Sequence, residues 1–251
     1  MYMKKELISA LLSTTIAVNA CATSVSSKTM ESEEPKEKTI VEMALNITSL
    51  VKEYIESNPF YFNPQIEEYN FGYLKKDSNI LGIKQDEVID TIKKYQKVTV
   101  INEIDNYYYV QTEDSTLGLI SKENIEILPD LFVEVDISDQ MVYLYKNNEL
   151  VIASPCVTGM NNKHDTRIGY FSIKYKQTNT YLTGPGYRSY VNYWMPFDGG
   201  IGLHDADGWR KTYGGEIYLK NGSHGCVNTP GVAVKEIFNT VSKGTRVLVH
   251  K

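Results

Sequence analysis

From Gly72 onwards the apolar residues recur at every second position in short runs, and each run is closed by turn-forming residues. Val98-Thr99-Val100-Ile101, Tyr107-Tyr108-Tyr109-Val110 and Leu117-Gly118-Leu119-Ile120-Ser121 are punctuated by Asn-Glu, Asp-Asn and Glu-Asp-Ser. A period of two puts successive side chains on opposite faces of a strand, so this pattern predicts a small barrel or sandwich between Gly72 and Leu128. After Pro129-Asp130 the alternation resumes in Leu131 to Asp136 and Gln140 to Tyr145, around Ile137-Ser138-Asp139, which predicts a hairpin. Lys146-Asn147-Asn148-Glu149 is a second turn, leading into a strand over Leu150 to Val157 that carries Cys156. The chain therefore reads as mainly β, with domains at 70–129 and 130–251.

The segment upstream has a different composition. Lys4 and Lys5 precede an apolar run from Leu7 to Val18 and small residues at Ala20 and Ala22, the layout of a secretory signal over residues 1–22. The run is too short to span a membrane. Val18-Asn19-Ala20-Cys21 also resembles a lipoprotein signal, in which a lipidated Cys21 would tether the protein to the membrane; ordinary cleavage after Ala20 or Ala22 is the other reading. Residues 23–40, rich in Ser, Thr, Glu and Lys, read as a disordered linker. Residues 41–58 read as an amphipathic helix, with apolar positions including Val41, Leu45 and Tyr54. The expected location is the cell wall or the extracellular face of the cytoplasmic membrane.

A net charge of -5 without a basic cluster argues against nucleic acid as a partner. The three cysteines, Cys21, Cys156 and Cys226, have no paired spacing that would suggest a metal site or a disulfide framework. Cys156 reads as a buried structural thiol; a bridge to Cys226, which would block a reactive thiol there, is the other reading in an exported protein.

Cys226 lies in Asn221-Gly222-Ser223-His224-Gly225-Cys226-Val227-Asn228-Thr229-Pro230. The thiolate is the reactive form of cysteine, and an ordinary Cys needs a base or a positive field to reach it. Thr229 as N-cap and Pro230 as first helical residue predict a helix over Gly231 to Val241, aimed to bring its positive end towards Cys226. Gly225 allows close backbone approach, and the neighbouring N–H groups suit an oxyanion hole. Taken alone, the stretch is equally a glycine-rich turn around a buried cysteine. Further upstream, Tyr193 to Asp205 gathers aromatics, glycines and His204, while Trp209, Arg210 and Tyr213 fill the interval. Tyr193 and Arg210 are cleft candidates by virtue of their polar tips.

Ser223-His224-Gly225-Cys226-Val227-Asn228 with the upstream His204 resembles the signature of the L,D-transpeptidase catalytic domain. The resemblance runs from about Leu131 to the end. It includes His164 to Phe171, which is similar to the family's Thr-Pro-x-Gly-x-Phe turn with Arg167 where Pro is common. Residues 70–129 resemble a bacterial SH3-like domain, which in such proteins binds cell-wall peptides or supports a catalytic partner. The first resemblance implies a mainly β fold and a cysteine enzyme that cross-links donor and acceptor peptidoglycan stem peptides without a cofactor. It implies that Cys226 attacks the carbonyl of the third stem residue and that His204 moves the protons. The Asp205 backbone carbonyl or the Ser223 side chain would orient His204, and the Gly225 and Cys226 N–H groups would hold the oxyanion. His224 and Asn228 would shape the turn and bind substrate, and carbapenems would acylate Cys226. Other readings stay open: an L,D-carboxypeptidase or cysteine peptidase, a non-catalytic wall-binding protein, or metal ligation by His204, His224 and Cys226. The acceptor amine is not selected by the motif.

Overall fold

The computed structural model describes residues 70–82, 85 and 87–251. The signal expected at 1–22, the linker at 23–40 and the helix at 41–58 lie outside the described residues. Among the described residues no helix is long and apolar enough to cross a membrane.

The described part is mainly β, as its alternation predicts. Strands β1 (Asn70–Leu74), β2 (Ser78–Leu81), β3 (Val88–Ile92), β4 (Lys97–Ile104), β5 (Tyr107–Gln111), β6 (Leu117–Ser121) and β7 (Ile125–Ile127) form one antiparallel sheet, ordered β3-β2-β6-β5-β4-β1-β7. Its core is Leu74, Ile80, Ile92, Val98, Val100, Val110, Ile120 and Ile125. β3 has no counterpart in the sequence reading because it is an edge strand that buries only Ile92, and so shows no period of two.

The second sheet contains β8 (Leu131–Asp136), β9 (Met141–Lys146), β10 (Glu149–Pro155), β11 (Gly169–Ser172) and β16 (Arg246–His250), ordered β10-β9-β8-β16-β11. β16 inserts between β8 and β11, parallel to β8. The third sheet, ordered β12-β13-β14-β15, is made of β12 (Gln177–Gly184), β13 (Tyr187–Asp198), β14 (Ile201–Asp205) and β15 (Val227–Thr229). The segment between β14 and β15 contains the short helix α1 (Ile217–Asn221), and α2 (Gly231–Thr240) follows β15. Val133, Val135, Val142, Leu144, Val247 and Val249 of the second sheet meet Met195, Phe197, Leu203 and Val227 of the third, and Val234 and Ile237 of α2 close the same core. Fully burying each such side chain stabilises the fold by about 1.5–3 kcal/mol.

β8 is covered on both faces. Val133 and Val135 point into that core, while Phe132 packs with Phe71 and Tyr73 of the first sheet, Tyr145 and Leu248 of the second, and Leu128 of the segment between them. Glu134, on the same side as Phe132, is wholly buried and receives an ion pair from Lys97 of β4 and a 2.7 Å contact from His250 Nε2. Lys97 Nζ also donates to the Tyr145 hydroxyl at 3.1 Å. Burial alone would push the Glu134 carboxyl up; the His250 hydrogen bond and the Lys97 charge outweigh it and hold the group well below the usual carboxylate range. Removing one partner of a buried ion pair strands the other. Lys97→Met is expected to destabilise the protein by about 3–5 kcal/mol, read from urea unfolding; a loss below about 1 kcal/mol would mean that water reaches Glu134.

Candidate active site

The site is built on one parallel strand pair. β14 and β15 register Leu203 with Val227 and His204 with Asn228. Leu203 and Val227 point into the core, so by alternation Gly202, His204, Cys226 and Asn228 share the opposite face. Cys226 stands level with Gly202, and His204 is one step further along, a backbone diagonal of roughly 8 Å from strand spacing and rise.

The turn carrying Cys226 is fastened at several points. Gln140, fully buried, accepts the Thr158 N–H at 2.9 Å and donates to the Thr158 hydroxyl at 2.7 Å. Thr158 O in turn accepts the Ser223 N–H at 2.9 Å, and the Met160 N–H donates to Ser223 O at 2.9 Å. The Ser223 hydroxyl donates to the Cys226 carbonyl and accepts the Gly225 N–H at 3.0 Å. Thr166 Oγ1 accepts the Gly159 N–H at 2.9 Å and donates to the Gly225 carbonyl at 2.8 Å. Gly225 itself has φ +108°, and a Cβ there would lie 3.1 Å from Ile201 Cδ1, so the position requires glycine.

The His204 ring is almost wholly buried, and its Nδ1 lies 2.8 Å from the Asp205 carbonyl oxygen. A carbonyl only accepts, so Nδ1 carries the proton and Nε2 keeps the lone pair that a base needs. Burial lowers the His204 pKa below its ordinary value, against the Asp205 hydrogen bond that raises it. The Trp194 and Trp209 rings each lie 5.9 Å from the imidazole. The Cys226 sulfur lies 3.7 Å from Gly200 O, and burial pushes its thiol up to about 11, with the Gly202 backbone N–H pulling the other way. Both groups are therefore neutral near pH 7 in the resting protein.

Residues 130–249, just under half the chain, match the family model described as YkuD, L,D-transpeptidase catalytic domain. The chain carries an L,D-transpeptidase catalytic domain. Its activity is peptidoglycan L,D-transpeptidation, an acyl transfer. Among solved structures, the catalytic domain of the E. faecium L,D-transpeptidase is 41% identical over 48% of this chain and 97% of that one, with a TM-score of 0.45. The same domain acylated by ertapenem is 40% identical over 49% and 98%, at 0.45. A crystal structure of a cysteine-to-serine mutant of the Enterococcus faecium L,D-transpeptidase is 26% identical over 81% and 82%, at 0.48. No curated protein matches the chain.

Within the transpeptidase domain several expected site residues lie elsewhere than the motif suggests. The helix field does not act on Cys226: α2 starts only after β15, roughly 10 Å of extended chain further on, and helix fields fade within the first turn. Pro230, not Thr229, occupies the cap position, and the Asp207 carboxylate takes the Gly231 N–H at 3.0 Å instead. Ser223 fastens the turn and makes no contact with His204, and it engages the Gly225 N–H that was assigned to the oxyanion. The Asp205 carboxylate points to β13, accepting the Asn192 and Tyr193 N–H groups at 2.8 Å each, so only its carbonyl meets His204. Tyr193 packs on Phe238 of α2 against the core and not in the cleft, because its side of β13 faces inward. Arg210 is buried as a clamp, its Nη2 donating to Asn221 O at 3.0 Å just before the motif. Asn228 is buried, and its backbone pairs with Val157. His224 is exposed at the mouth.

Two residues with no assigned role converge there. Tyr187 stacks on His224 at 4.8 Å, His164 lies 4.7 Å from the same His224 ring, and the Tyr187 hydroxyl is pushed up by burial first and by the nearby Cys226 second. Tyr187 follows the two-residue turn of the β12–β13 hairpin, and Gly184-Pro185-Gly186 was the available turn signal. Thr166 opens the Thr-Arg-Ile-Gly-Tyr-Phe turn, but nothing local in the sequence ties it to its partner Gly225, 59 residues away.

Iodoacetamide is expected to alkylate Cys226 at a rate still rising at pH 9 to 10, with Cys156, fully buried, left unmodified; a rate that levels off below pH 8 would mean a preformed thiolate. Thr166→Val keeps the shape and orphans the Gly159 N–H and the Gly225 carbonyl. It is expected to cost about 1–3 kcal/mol in urea unfolding and to slow acylation of Cys226.

Proposed function

We propose that Cys226 is the nucleophile and His204 its general base in a reaction that passes through a thioester on the third residue of a donor stem. The observation that carries this reading is the β14–β15 register, which puts Cys226 and His204 on one face with the His204 lone pair fixed by Asp205 O. His204 takes the thiol proton as sulfur attacks and gives it to the departing amine of the terminal D-amino acid. An amine from an acceptor stem then adds to the thioester, loses its proton to His204 and expels the thiolate. With the Gly225 N–H engaged by Ser223, the Cys226 N–H is the donor we assign to the oxyanion. His224, with Tyr187 and His164, lines the approach to sulfur.

Residues 70–129 are assigned to an SH3-like module that supports the catalytic domain or binds wall peptides; the antiparallel seven-stranded order supports this. The N-terminal pattern supports an exported protein held at the wall or the outer face of the cytoplasmic membrane, with lipidated Cys21 as its tether.

Carbapenem acylation follows from the same nucleophile. Ertapenem is expected to add one covalent equivalent to the intact protein and none to Cys226→Ala, by mass spectrometry. His204→Gln is expected to slow acylation by about 10²–10⁴. No adduct on the unmutated chain sinks the assignment. Products formed from a tetrapeptide donor with and without an acceptor stem separate cross-linking from carboxypeptidase action.

A further inference from the structure

The turn between β13 and β14 touches the thiol from a side that the proposed reaction does not use. Gly200 O lies 3.7 Å from the Cys226 sulfur, and the Gly202 N–H, two residues further on, faces the same atom. A carbonyl only accepts, so the first contact holds the thiol proton, whereas the N–H favours the thiolate. Where this turn sits therefore decides where the sulfur points and how its proton is held.

The turn has little of its own to fix it. Gly199 has φ +56°, a Cβ built on Gly199 or Gly200 would meet nothing within 4 Å, and the β13–β14 ladder slips register between Pro196 and Asp198. Its anchor is Asp198. That side chain is only 12% exposed, and both of its carboxylate oxygens are taken by Arg167, one by Nε at 2.5 Å and the other by Nη2. A two-pronged pair fixes direction as well as distance, which a point charge does not. Arg167 lies just before β11, and its neighbour Thr166 holds the Gly225 carbonyl at 2.8 Å. Consecutive residues thus grip two turns that meet at the sulfur: Thr166 the one that carries Cys226, Arg167 the one that faces it.

We propose that Arg167 is a positioning residue for Cys226, acting through Asp198 to set the Gly200 carbonyl against the thiol. Its worth is geometric, since a pair with one partner in solvent adds little stability. The part it plays in acyl transfer rests on Cys226 as the nucleophile; its hold on the thiol proton is read without that assumption.

The test compares the full chain with Arg167→Gln, Asp198→Asn and the double variant. Arg167 is 67% exposed, so Tm is expected to change little. Losing an acceptor that favours the protonated thiol should move the pH profile of Cys226 alkylation by iodoacetamide down by about half a pH unit, with a rate about threefold higher at pH 8, the scale of one weak hydrogen bond. Removing the Arg167 charge would by itself push the thiol the other way, and His204, His224 and Tyr187 are left in place, so a downward move reports the carbonyl. Acylation by ertapenem should instead slow by about tenfold, because a displaced sulfur loses its alignment with the carbonyl it attacks. The double variant should match either single one, as two residues acting as a unit do. An unshifted or upward-shifted alkylation profile in Arg167→Gln overturns the proposal, as do additive effects in the double variant. An unmutated chain that takes no ertapenem fails the nucleophile reading instead, and the alkylation profile still judges Arg167.

Discussion

The parallel pairing of β14 with β15 is the constraint on which the rest of the site depends. β14 arrives by a hairpin from β13 and carries His204, whereas β15 is three residues long and reaches its place only after the intervening segment has closed. Closing such a connection costs entropy, and three residues of ladder return little of it. The deficit is offset by contacts outside the ladder. Arg210 holds Asn221 O, Ser223 is bound on both sides by Thr158 and Met160, Asn228 pairs with Val157, and Asp207 fastens the start of α2. Residues flanking the motif thus matter through geometry, without touching the thiol.

A second dependence runs through β8. A strand buried on both faces normally reads as a continuous apolar run. β8 instead keeps alternation and places Glu134 and Asp136 where the first module covers them. Covering them needs counter-charges, which come from Lys97 and His250. The other side of β8 supports the core behind Leu203 and Val227, and the β8–β9 hairpin supplies Gln140, whose hydrogen bonds set Thr158 and through it Ser223. Module docking and site geometry therefore share one sheet.

This arrangement explains what the sequence could and could not reveal. Strands such as β4, β5, β6, β8 and β9 bury one face or keep strict alternation, and local periodicity exposes them. β12 and the start of β13 are polar on both faces, so the longest hairpin in the domain left only its glycine turn as a trace. The Cys226 turn was legible because its chemistry is local to six residues, with His204 at a fixed distance. The error over the helix field came from reading adjacency along the chain as adjacency in space: Val227 to Thr229 form a strand, and that strand carries the helix start away. The burial of Glu134, Asp136 and Lys97 was hidden for the opposite reason, since charged residues on alternate positions are what a solvent-facing sheet also shows.

The electrostatics of the resting site fit its geometry. Burial disfavours both imidazolium and thiolate, and no charged side chain beside the pair reverses that effect. A preformed ion pair would require a positive field at Cys226, and the helix that might supply one is spent on Asp207. The thiol in its neutral state is a weak nucleophile until its proton leaves, and the ring whose Nε2 is kept as acceptor by the Asp205 carbonyl lies on the same face of the strand pair. A neutral thiol is also slower to oxidise than a thiolate. The same burial that makes Cys226 sluggish towards small electrophiles keeps it intact for the acyl donor.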